Sequence, residues 1–286
     1  MPSLTVVSIQ TALNQAIDQL QHLSESATLD AEVLLCHCLG KSRSFLRAWP
    51  DKSLSTEQAE QFWRLIKQRQ QGQPIAYLTG EREFWSRSFM VSPDVLIPRP
   101  DSELLIEISL ALFSPQQVGN MLDLGTGSGI LGITLAAERP TATVTATDIS
   151  PAALQIAQAN ARQLGVNNIR FLQSNWFAAI ADTAFDLIIS NPPYIAADDP
   201  HLQQGDVRFE PQTALVSPDN GLQDIRILAD QARNYLKAGG HLLIEHGYNQ
   251  LDAVQDIFNA FNYQQIATHH DLSGNPRVTS GAWNPT

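Results

Sequence analysis

A buried strand ended by two consecutive prolines is the feature that most constrains the fold of this chain. Residues 185–189 form an apolar run of strand length, and the sequence Ser-Asn-Pro-Pro-Tyr follows at 190–194. Such a run predicts a buried strand, and proline cannot donate to a sheet ladder. The loop after it should therefore lie at the carboxyl end of a strand, the edge where open α/β sheets bind ligands.

The residue types of this loop predict a binding site for an amino group. Prolines fix φ and lack an N–H, so the loop presents two acceptors, the Asn191 side chain and the Pro192 backbone oxygen, and Tyr194 adds an aromatic face. Such a group can hold a planar –NH2, from an amide or an aminopurine, by both hydrogens. We assign Asn191, Pro192 and Tyr194 to catalysis, and these three with Pro193 to substrate binding.

A glycine-rich turn upstream predicts a cofactor site. A strand-like segment at 121–124 leads into Gly125, Thr126, Gly127, Ser128 and Gly129, and an apolar, helix-like segment follows at 130–137. Glycine permits positive φ and close backbone approach to a ligand. The third glycine of the dinucleotide fingerprint is absent at position 130, and the spacing D-x-G-x-G-x-G is similar to that of S-adenosylmethionine-dependent methyltransferases. Taken alone, a glycine-rich turn is weak evidence for a cofactor site, and a plain tight turn is the alternative.

The next two strands supply further candidates for the cofactor site. Asp148 ends the strand-like segment 143–148, and an acidic residue about 20 positions beyond the glycines can accept from both ribose hydroxyls. Alone, Asp148 would be interpreted as a turn or capping carboxylate. Asn175 and Trp176 follow a third strand and are candidates for contact with an adenine, although a tryptophan is more often half-buried in a core.

Composition excludes several classes of protein. No apolar run approaches the ~20 residues of a membrane span, Met1–Leu4 lack the features of a signal peptide, and Cys36 and Cys38 are the only cysteines. A reduced cytoplasmic protein with no metal site is expected. Residues 1–80 are neutral, so the whole net charge of -11 falls on 81–286. This balance argues against an extended grip on nucleic acid.

The pattern of elements predicts an α/β protein with three parts. Residues 1–80 have helical periodicity, including a capping box at Ser55–Gln58, and are expected to be a helical substrate-recognition domain. Residues 81–100 are expected to form a β-hairpin connector whose second strand includes 95–97. From 101 to 286 we expect the catalytic domain, in which strands and helices alternate as in a mostly parallel sheet. A polar insertion at 196–220 is too long for a routine connection, and a helix is expected over about 222–236.

The chain resembles the bacterial release factor glutamine methyltransferases over most of its length from about residue 75. The resemblance rests on the segments Gly80–Phe84, Val95–Pro100, Leu122–Gly129, Asn191–Ile195, Asp206–Pro211, Asp219–Leu222 and Arg277–Thr279. It implies a Rossmann-like, seven-stranded class I methyltransferase sheet and S-adenosyl-L-methionine as cofactor. It also implies a substrate, the glutamine of the Gly-Gly-Gln motif of class I peptide chain release factors, methylated on its side-chain nitrogen.

Carried over to this sequence, the resemblance implies a role for each candidate. Residues 125–129 would cradle the methionine end of the cofactor, Asp148 would hold the ribose, and Asn175 and Trp176 the adenine. Asn191, which also borders the cofactor, and the rest of 191–194 would hold the glutamine amide. The main alternative is an N6-adenine methyltransferase acting on DNA or RNA, which shares the Asn-Pro-Pro-Tyr loop; a non-catalytic binding protein is a third. The expected assembly is a monomer without stable nucleic-acid or membrane binding.

Overall fold

The computed structural model describes residues 7–181 and 184–285, so the expectation about Met1–Leu4 concerns residues outside the described part. The described chain divides into two compact units. The first contains the residues up to Glu81 together with His201–Phe209, and the second contains Arg82–Pro200 and Glu210 onwards. The short segment 201–209, from the middle of the predicted insertion, thus belongs to the first unit and packs with its helical residues.

The first unit is a helical cluster around its own apolar core. Its helices are α1 (Ile9–Leu20), α2 (Ala27–Leu39), α3 (Arg43–Ala48), α4 (Thr56–Gln70) and α5 (Ile75–Thr79). The predicted capping box is present at the start of α4, where the Ser55 hydroxyl accepts from the Gln58 N–H and the Gln58 side chain accepts from the Ser55 N–H. The amphipathic faces of α1, α2 and α4 meet around fully buried side chains such as Leu34, Leu35 and Phe62.

The second unit alternates strands and helices, as the sequence predicts. Its elements are β1 (Glu81–Phe84), β2 (Arg87–Met90), α6 (Glu103–Leu112), β3 (Asn120–Leu124), α7 (Ile130–Glu138), β4 (Thr143–Asp148), α8 (Pro151–Gln163), β5 (Ile169–Gln173), β6 (Phe185–Ser190), α9 (Pro218–Gly221), α10 (Gln223–Ala232), β7 (Leu236–Glu245), α11 (Leu251–Ala260), β8 (Gln264–His270) and β9 (Pro276–Trp283).

The seven-stranded sheet of the second unit confirms the predicted fold class. Its strand order is β5-β4-β3-β6-β7-β9-β8. The pairs among β5, β4, β3, β6 and β7 are parallel, and β9 is antiparallel to both β7 and β8. Alternate residues of each central strand belong to two different apolar cores, one on each face of the sheet. The chain order reverses direction at the β3/β6 boundary, which is where α/β sheets of this kind bind ligands.

Two expected elements have different bounds in the structure. The hairpin turns at Trp85–Ser86, both at positive φ, and residues 95–97 form no strand. The N–H of Ile97 donates instead to the Glu210 carboxylate at 3.2 Å, so it has no need of a strand neighbour. The helix expected to reach about 236 ends at Ala232, because β7 already begins at Leu236, where the Tyr235 carbonyl accepts the N–H groups of Ala184 and Phe185.

No helix among the described residues is long and apolar enough to cross a membrane.

Candidate active site

The β3/β6 boundary brings the two predicted loops together. Leu124 and Ser190, the last residues of these strands, are partners in the parallel register. The Ser190 hydroxyl donates to the Leu124 carbonyl over 2.7 Å, which ties the ends of the two strands. The glycine loop, Gly125–Gly129, and the Asn-Pro-Pro-Tyr loop, 191–194, therefore start side by side at the carboxyl edge of the sheet.

A buried carboxylate beneath the glycine loop holds its shape. Asp123 is inaccessible to solvent, and its Oδ2 accepts the Thr126 hydroxyl at 2.6 Å and the Gly132 N–H at 2.9 Å. Burial raises the pKa of Asp123 to about 6, and these two hydrogen bonds oppose the rise. The fully buried Asp123 supports the loop from below and cannot itself contact a ligand.

The backbone of the glycine loop needs glycine where it approaches other groups. Gly125 has φ of 74°, and a Cβ there would lie 3.4 Å from the Trp176 ring. Gly127 has φ of 55°, and its N–H donates to Asp148. Residues other than glycine rarely adopt positive φ, so a side chain at either position would strain the loop.

Asp148 lies at the end of β4 with its carboxylate turned toward the glycine loop. Its Oδ2 accepts the Gly127 N–H and its Oδ1 accepts the Ser150 N–H, each at 2.9 Å. Each carboxylate oxygen can accept a second hydrogen bond. The side chain therefore orders the loop and retains acceptor capacity for a pair of hydroxyl groups.

Trp176 is half-buried and is held by one polar contact. Its φ is 48°, and the indole N–H donates to Asp224 Oδ1 over 3.2 Å. One edge of the ring packs toward Gly125, and the ring borders the cavity of the second unit. The tryptophan thus packs against the core and also presents surface to the cavity. The exposed Asn175 borders the cavity beside it.

A cavity of about 490 Å³ opens at this edge of the sheet, within the size range of small-molecule sites. The predicted site residues that line it are Gly125, Thr126, Gly127, Ser128, Asp148, Trp176, Asn191 and Pro193. Gly129, Pro192 and Tyr194 are not among the lining residues. Gly129 instead begins α7 at φ of 89°, Pro192 is buried, and the Tyr194 hydroxyl contacts Glu245.

Asn191 and Tyr194 are each held by a residue from a distant part of the chain. The Asn191 Nδ2 donates to the Ser102 hydroxyl over 3.0 Å, and the Tyr194 hydroxyl donates to Glu245 Oε1 over 3.3 Å. Burial raises the pKa of the Tyr194 hydroxyl well above its usual value, and the nearby Glu245 carboxylate adds to the rise. Tyr194 is therefore neutral and serves as a hydrogen-bond donor.

Two further segments line the cavity that the sequence patterns do not place there. Residues of 93–99 border it before α6, and Pro211, Thr213, Ala214 and Val216 border it from the end of the insertion. The two segments are joined by an ion pair between Arg99 and the fully buried Glu210 carboxylate. One feature of the sequence does point to both segments, because Val95–Pro100 and Asp206–Pro211 are among the segments that carry the family resemblance.

Within 7–181 and 184–285, no group of three or more His, Cys, Asp or Glu residues could hold a metal ion. Cys36 and Cys38 are both free thiols in the helical unit. Burial raises the pKa of the Cys38 thiol to about 11, so this group is neutral at physiological pH.

Family comparisons agree with the two-part organisation. The model described as the PrmC N-terminal domain matches residues 11–80, and the model described as the methyltransferase small domain matches residues 100–206. Among solved structures, a methyltransferase from Pyrococcus furiosus is similar with a TM-score of 0.54 at 17% identity, covering 71% of this chain and 91% of its own. The 16S rRNA N2 G1207 methyltransferase of T. thermophilus gives 0.53 at 19% identity, covering 71% and 50%. At these identities the likeness shows the fold alone.

Full-length relatives show the family. The release factor glutamine methyltransferase of Vibrio cholerae serotype O1 is 49% identical, covering 97% of this chain and 97% of its own length. That of Escherichia coli K12 is 50% identical, covering 95% and 97%. Identity of this level over nearly the whole of both chains confirms the resemblance inferred from the motifs. The chain belongs to the release factor glutamine methyltransferases, a family of S-adenosylmethionine-dependent enzymes.

Proposed function

We propose that this enzyme methylates the side-chain amide nitrogen of the glutamine in the Gly-Gly-Gln motif of class I peptide chain release factors. The observation that carries the proposal is the position of Asn191, which lines the cavity beside the glycine loop with its amide nitrogen directed to Ser102. Because Ser102 takes the Nδ2 group, Asn191 offers its Oδ1 to a substrate N–H. A primary carboxamide supplies such a donor.

The residues around the cavity fit S-adenosylmethionine. The glycine loop allows close backbone approach at the start of α7, Asp148 retains acceptor capacity for ribose hydroxyls, and Asn175 and Trp176 present an amide and an aromatic surface for an adenine. When bound, this cofactor supplies an electrophilic methyl group on a positively charged sulfur. We assign cofactor binding to Gly125–Gly129, Asp148, Trp176 and Asn191, with Gly129 acting through the turn that it permits.

The protein has to supply position more than acid–base chemistry. An amide nitrogen is a poor nucleophile because its lone pair is delocalised into the carbonyl group. The two N–H bonds of the substrate amide would donate to Asn191 Oδ1 and to the Pro192 carbonyl. These hydrogen bonds would raise the electron density on the amide nitrogen and align that nitrogen at ~3–3.5 Å from the methyl group. The alkylated nitrogen loses its proton readily, so no strong general base is required. Pro193 and Tyr194 keep the loop in the geometry that these contacts need.

We also propose that the helical unit and the insertion recognise the release factor together. In the first unit, the Arg69 guanidinium contacts Asp30 at 2.8 Å and Asp206, from the insertion segment, at 3.2 Å. The same side chain donates to the Gln73 carbonyl at 3.1 Å. Arg69 is mostly buried, and these contacts pin the middle of the insertion to the helical residues. A partner that binds this unit would therefore bind a surface built from both segments.

We further propose a three-part domain division, a monomeric state and a cytoplasmic location. The domain division 1–80, 81–100 and 101–286 is supported by the family models, whose matches fall at 11–80 and 100–206. A monomer in the cytoplasm, with no stable nucleic-acid binding, fits an enzyme whose substrate is a soluble translation factor and whose net charge is -11. Family membership favours the glutamine substrate over adenine in DNA or RNA.

The direct test is mass spectrometry of a purified class I release factor after incubation with this enzyme and labelled cofactor. We expect a single added methyl group on the glutamine of the Gly-Gly-Gln motif. A release factor with asparagine in place of that glutamine is the matched control and should take up no label. Label on any other residue, or equal labelling of the control, would contradict the proposed substrate.

The recognition proposal is tested by Arg69→Ala. We expect a KM for the release factor raised by about tenfold with an unchanged dissociation constant for the cofactor, since the change is confined to the first unit. Arg43→Ala is the matched control, because it removes the ion pair with Glu32 in the same unit and leaves the insertion anchored. Equal effects of the two substitutions on KM would count against the insertion as part of the docking surface.

A further inference from the structure

We propose that Ser102 and Glu245 are positioning residues for methyl transfer, and that they hold Asn191 so that its carbonyl oxygen faces the substrate amide. The inference rests on the proposed function. Ser102 lies just before α6 and Glu245 ends β7, so the two come from opposite ends of the second unit's sequence. Glu245 does not line the cavity and acts through the two hydroxyl groups next to it.

The contact between Asn191 and Ser102 fixes one end of the arrangement. The Asn191 Nδ2 donates to the Ser102 Oγ over 3.0 Å, and Ser102 is fully buried beside the cavity. A serine hydroxyl has one proton and two acceptor lone pairs. Whether Ser102 can receive the Asn191 amide therefore depends on where its own proton goes.

Glu245 determines where that proton goes. It is 1% exposed, the Tyr194 hydroxyl donates to its Oε1 over 3.3 Å, and the Ser102 hydroxyl lies close enough to the same carboxyl group to lower its pKa. An ionised carboxylate can only accept. An ionised Glu245 therefore attracts the protons of both nearby hydroxyl groups, which leaves the Ser102 lone pairs to the Asn191 Nδ2.

The wrong orientation of Asn191 is thereby disfavoured. A flipped amide would place Oδ1 against the Ser102 oxygen, and two acceptors would face each other in a buried site, where an unsatisfied polar group is costly. A protonated Glu245 could instead donate to Ser102, whose proton would then be available to a flipped Asn191. The charge state of Glu245 thus determines, through Ser102, whether Asn191 turns its Oδ1 toward the substrate.

The groups around Glu245 set its pKa near neutral pH, where a small change in pH changes its charge. Burial raises the pKa of Glu245 to about 7, while the neighbouring hydroxyl groups of Ser102 and Tyr194 and the positive charge of Arg277 on β9 oppose the rise. The negative charge of Asp101 also raises the pKa of Glu245. Asp101 precedes Ser102 and forms an ion pair with Arg277 at 3.0 Å. The Glu245 Oε2 is buried and has no hydrogen-bond partner among the described residues.

The first test compares Ser102→Ala with Ser109→Ala. Ser109 is an equally buried serine on α6 whose hydroxyl donates to the Leu105 carbonyl, away from the cavity. We expect Ser102→Ala to lower kcat for the release factor at least ~10-fold with cofactor affinity within about twofold of wild type, because only the orientation of the amide changes. Ser102→Thr, which keeps the hydroxyl, should restore most of kcat, and Ser109→Ala should leave it unchanged.

The second test uses Glu245→Gln, which keeps the volume and removes the charge. In the wild type kcat should rise as the pH passes through about 7 and Glu245 ionises. In Glu245→Gln this rise should vanish, and kcat at about pH 8 should be at least ~10-fold below wild type. This comparison stands by itself if Ser102→Ala does not fold.

A double substitution separates positioning from other roles. Added to Asn191→Ala, the change Ser102→Ala should give no further loss of kcat, because its effect passes through Asn191. A further loss as large as in the wild-type background would overturn the proposal, as would a Glu245→Gln enzyme that keeps the wild-type pH profile. Methylation of the release factor by the wild type in the same assay is the separate readout of the proposed function.

Discussion

The buried side chain of Asp123, under the glycine loop, should make the free energy of unfolding depend on pH by a predictable amount. Asp123 has a pKa of about 6 in the folded protein against an ordinary value of 3.8, chiefly through burial. A difference of about two pKa units corresponds to about 3 kcal/mol. Because the folded value is the higher one, this group's contribution to stability is fully present below pH 3.8 and is lost as the pH rises through about 6.

Asp123→Asn removes the titration and keeps the shape of the side chain. The asparagine can still accept the Thr126 hydroxyl and the Gly132 N–H through its carbonyl oxygen. Any loss of hydrogen-bond strength shifts the free energy of unfolding of the variant by the same amount at every pH. The prediction therefore concerns how the difference in unfolding free energy between variant and wild type changes with pH. Between about pH 5 and pH 8 the free energy of unfolding of the variant should gain about 1 kcal/mol relative to wild type.

The assay is chemical denaturation of both proteins, without cofactor, at several pH values across that range. Subtraction of the two curves cancels the other titrating groups, including Glu245, whose pKa is also raised by burial. A difference in unfolding free energy that stays constant from about pH 5 to pH 8 would refute the reasoning, because it would mean that Asp123 titrates alike in the folded and unfolded chains.

Three further predictions concern the cavity and the substrate. Asn191→Ala should lower kcat at least ~10²-fold with a much smaller loss of cofactor affinity, since Asn191 only borders the cofactor and chiefly positions the substrate amide; methyl-transfer kinetics beside calorimetry check this, and near-normal methylation would contradict the site. Asp148→Ala should weaken cofactor binding by about 1.5–3 kcal/mol, the range for hydrogen bonds to a charged group; unchanged affinity by calorimetry would reduce Asp148 to a turn residue. Duplex DNA should take up no label, and methylation of the release factor should show only a shallow dependence on salt; strong transfer to adenine would overturn the substrate and leave the cofactor in place.

Much of the cavity was predictable because its residues follow strands in sequence. Asp148, Trp176 and Asn191 each come shortly after a recognisable apolar segment, and the carboxyl ends of parallel strands share one edge. The hairpin was predicted less well. Its turn at Trp85–Ser86 has positive φ at two residues that rarely adopt it, so no turn signal marks it in the sequence.

The segment 95–97 shows how a local pattern can mislead. Val95 and Ile97 are buried while Leu96 borders the cavity, which reproduces the alternation of a strand. What satisfies the Ile97 N–H is a carboxylate at Glu210, more than a hundred positions away in the chain. No periodicity within 95–97 can reveal a partner so distant, and the local pattern alone therefore predicts a strand.

The supporting residues of the site escaped prediction for the same reason. Ser102 and Glu245 carry no motif of their own, since a serine before a helix is expected as a cap and a glutamate at a strand end is expected to be solvated. Glu245 comes next to the loop because β6 and β7 lie side by side, with Ser190 paired to Ile244, so that the end of β7 lies beside the residues that follow Ser190. Ser102, just before α6, meets the same loop through its contact with Asn191. Burial then turns an ordinary glutamate into a carboxyl group with a pKa of about 7. The catalytic amide is thus set by groups that only the folded sheet brings within reach of it.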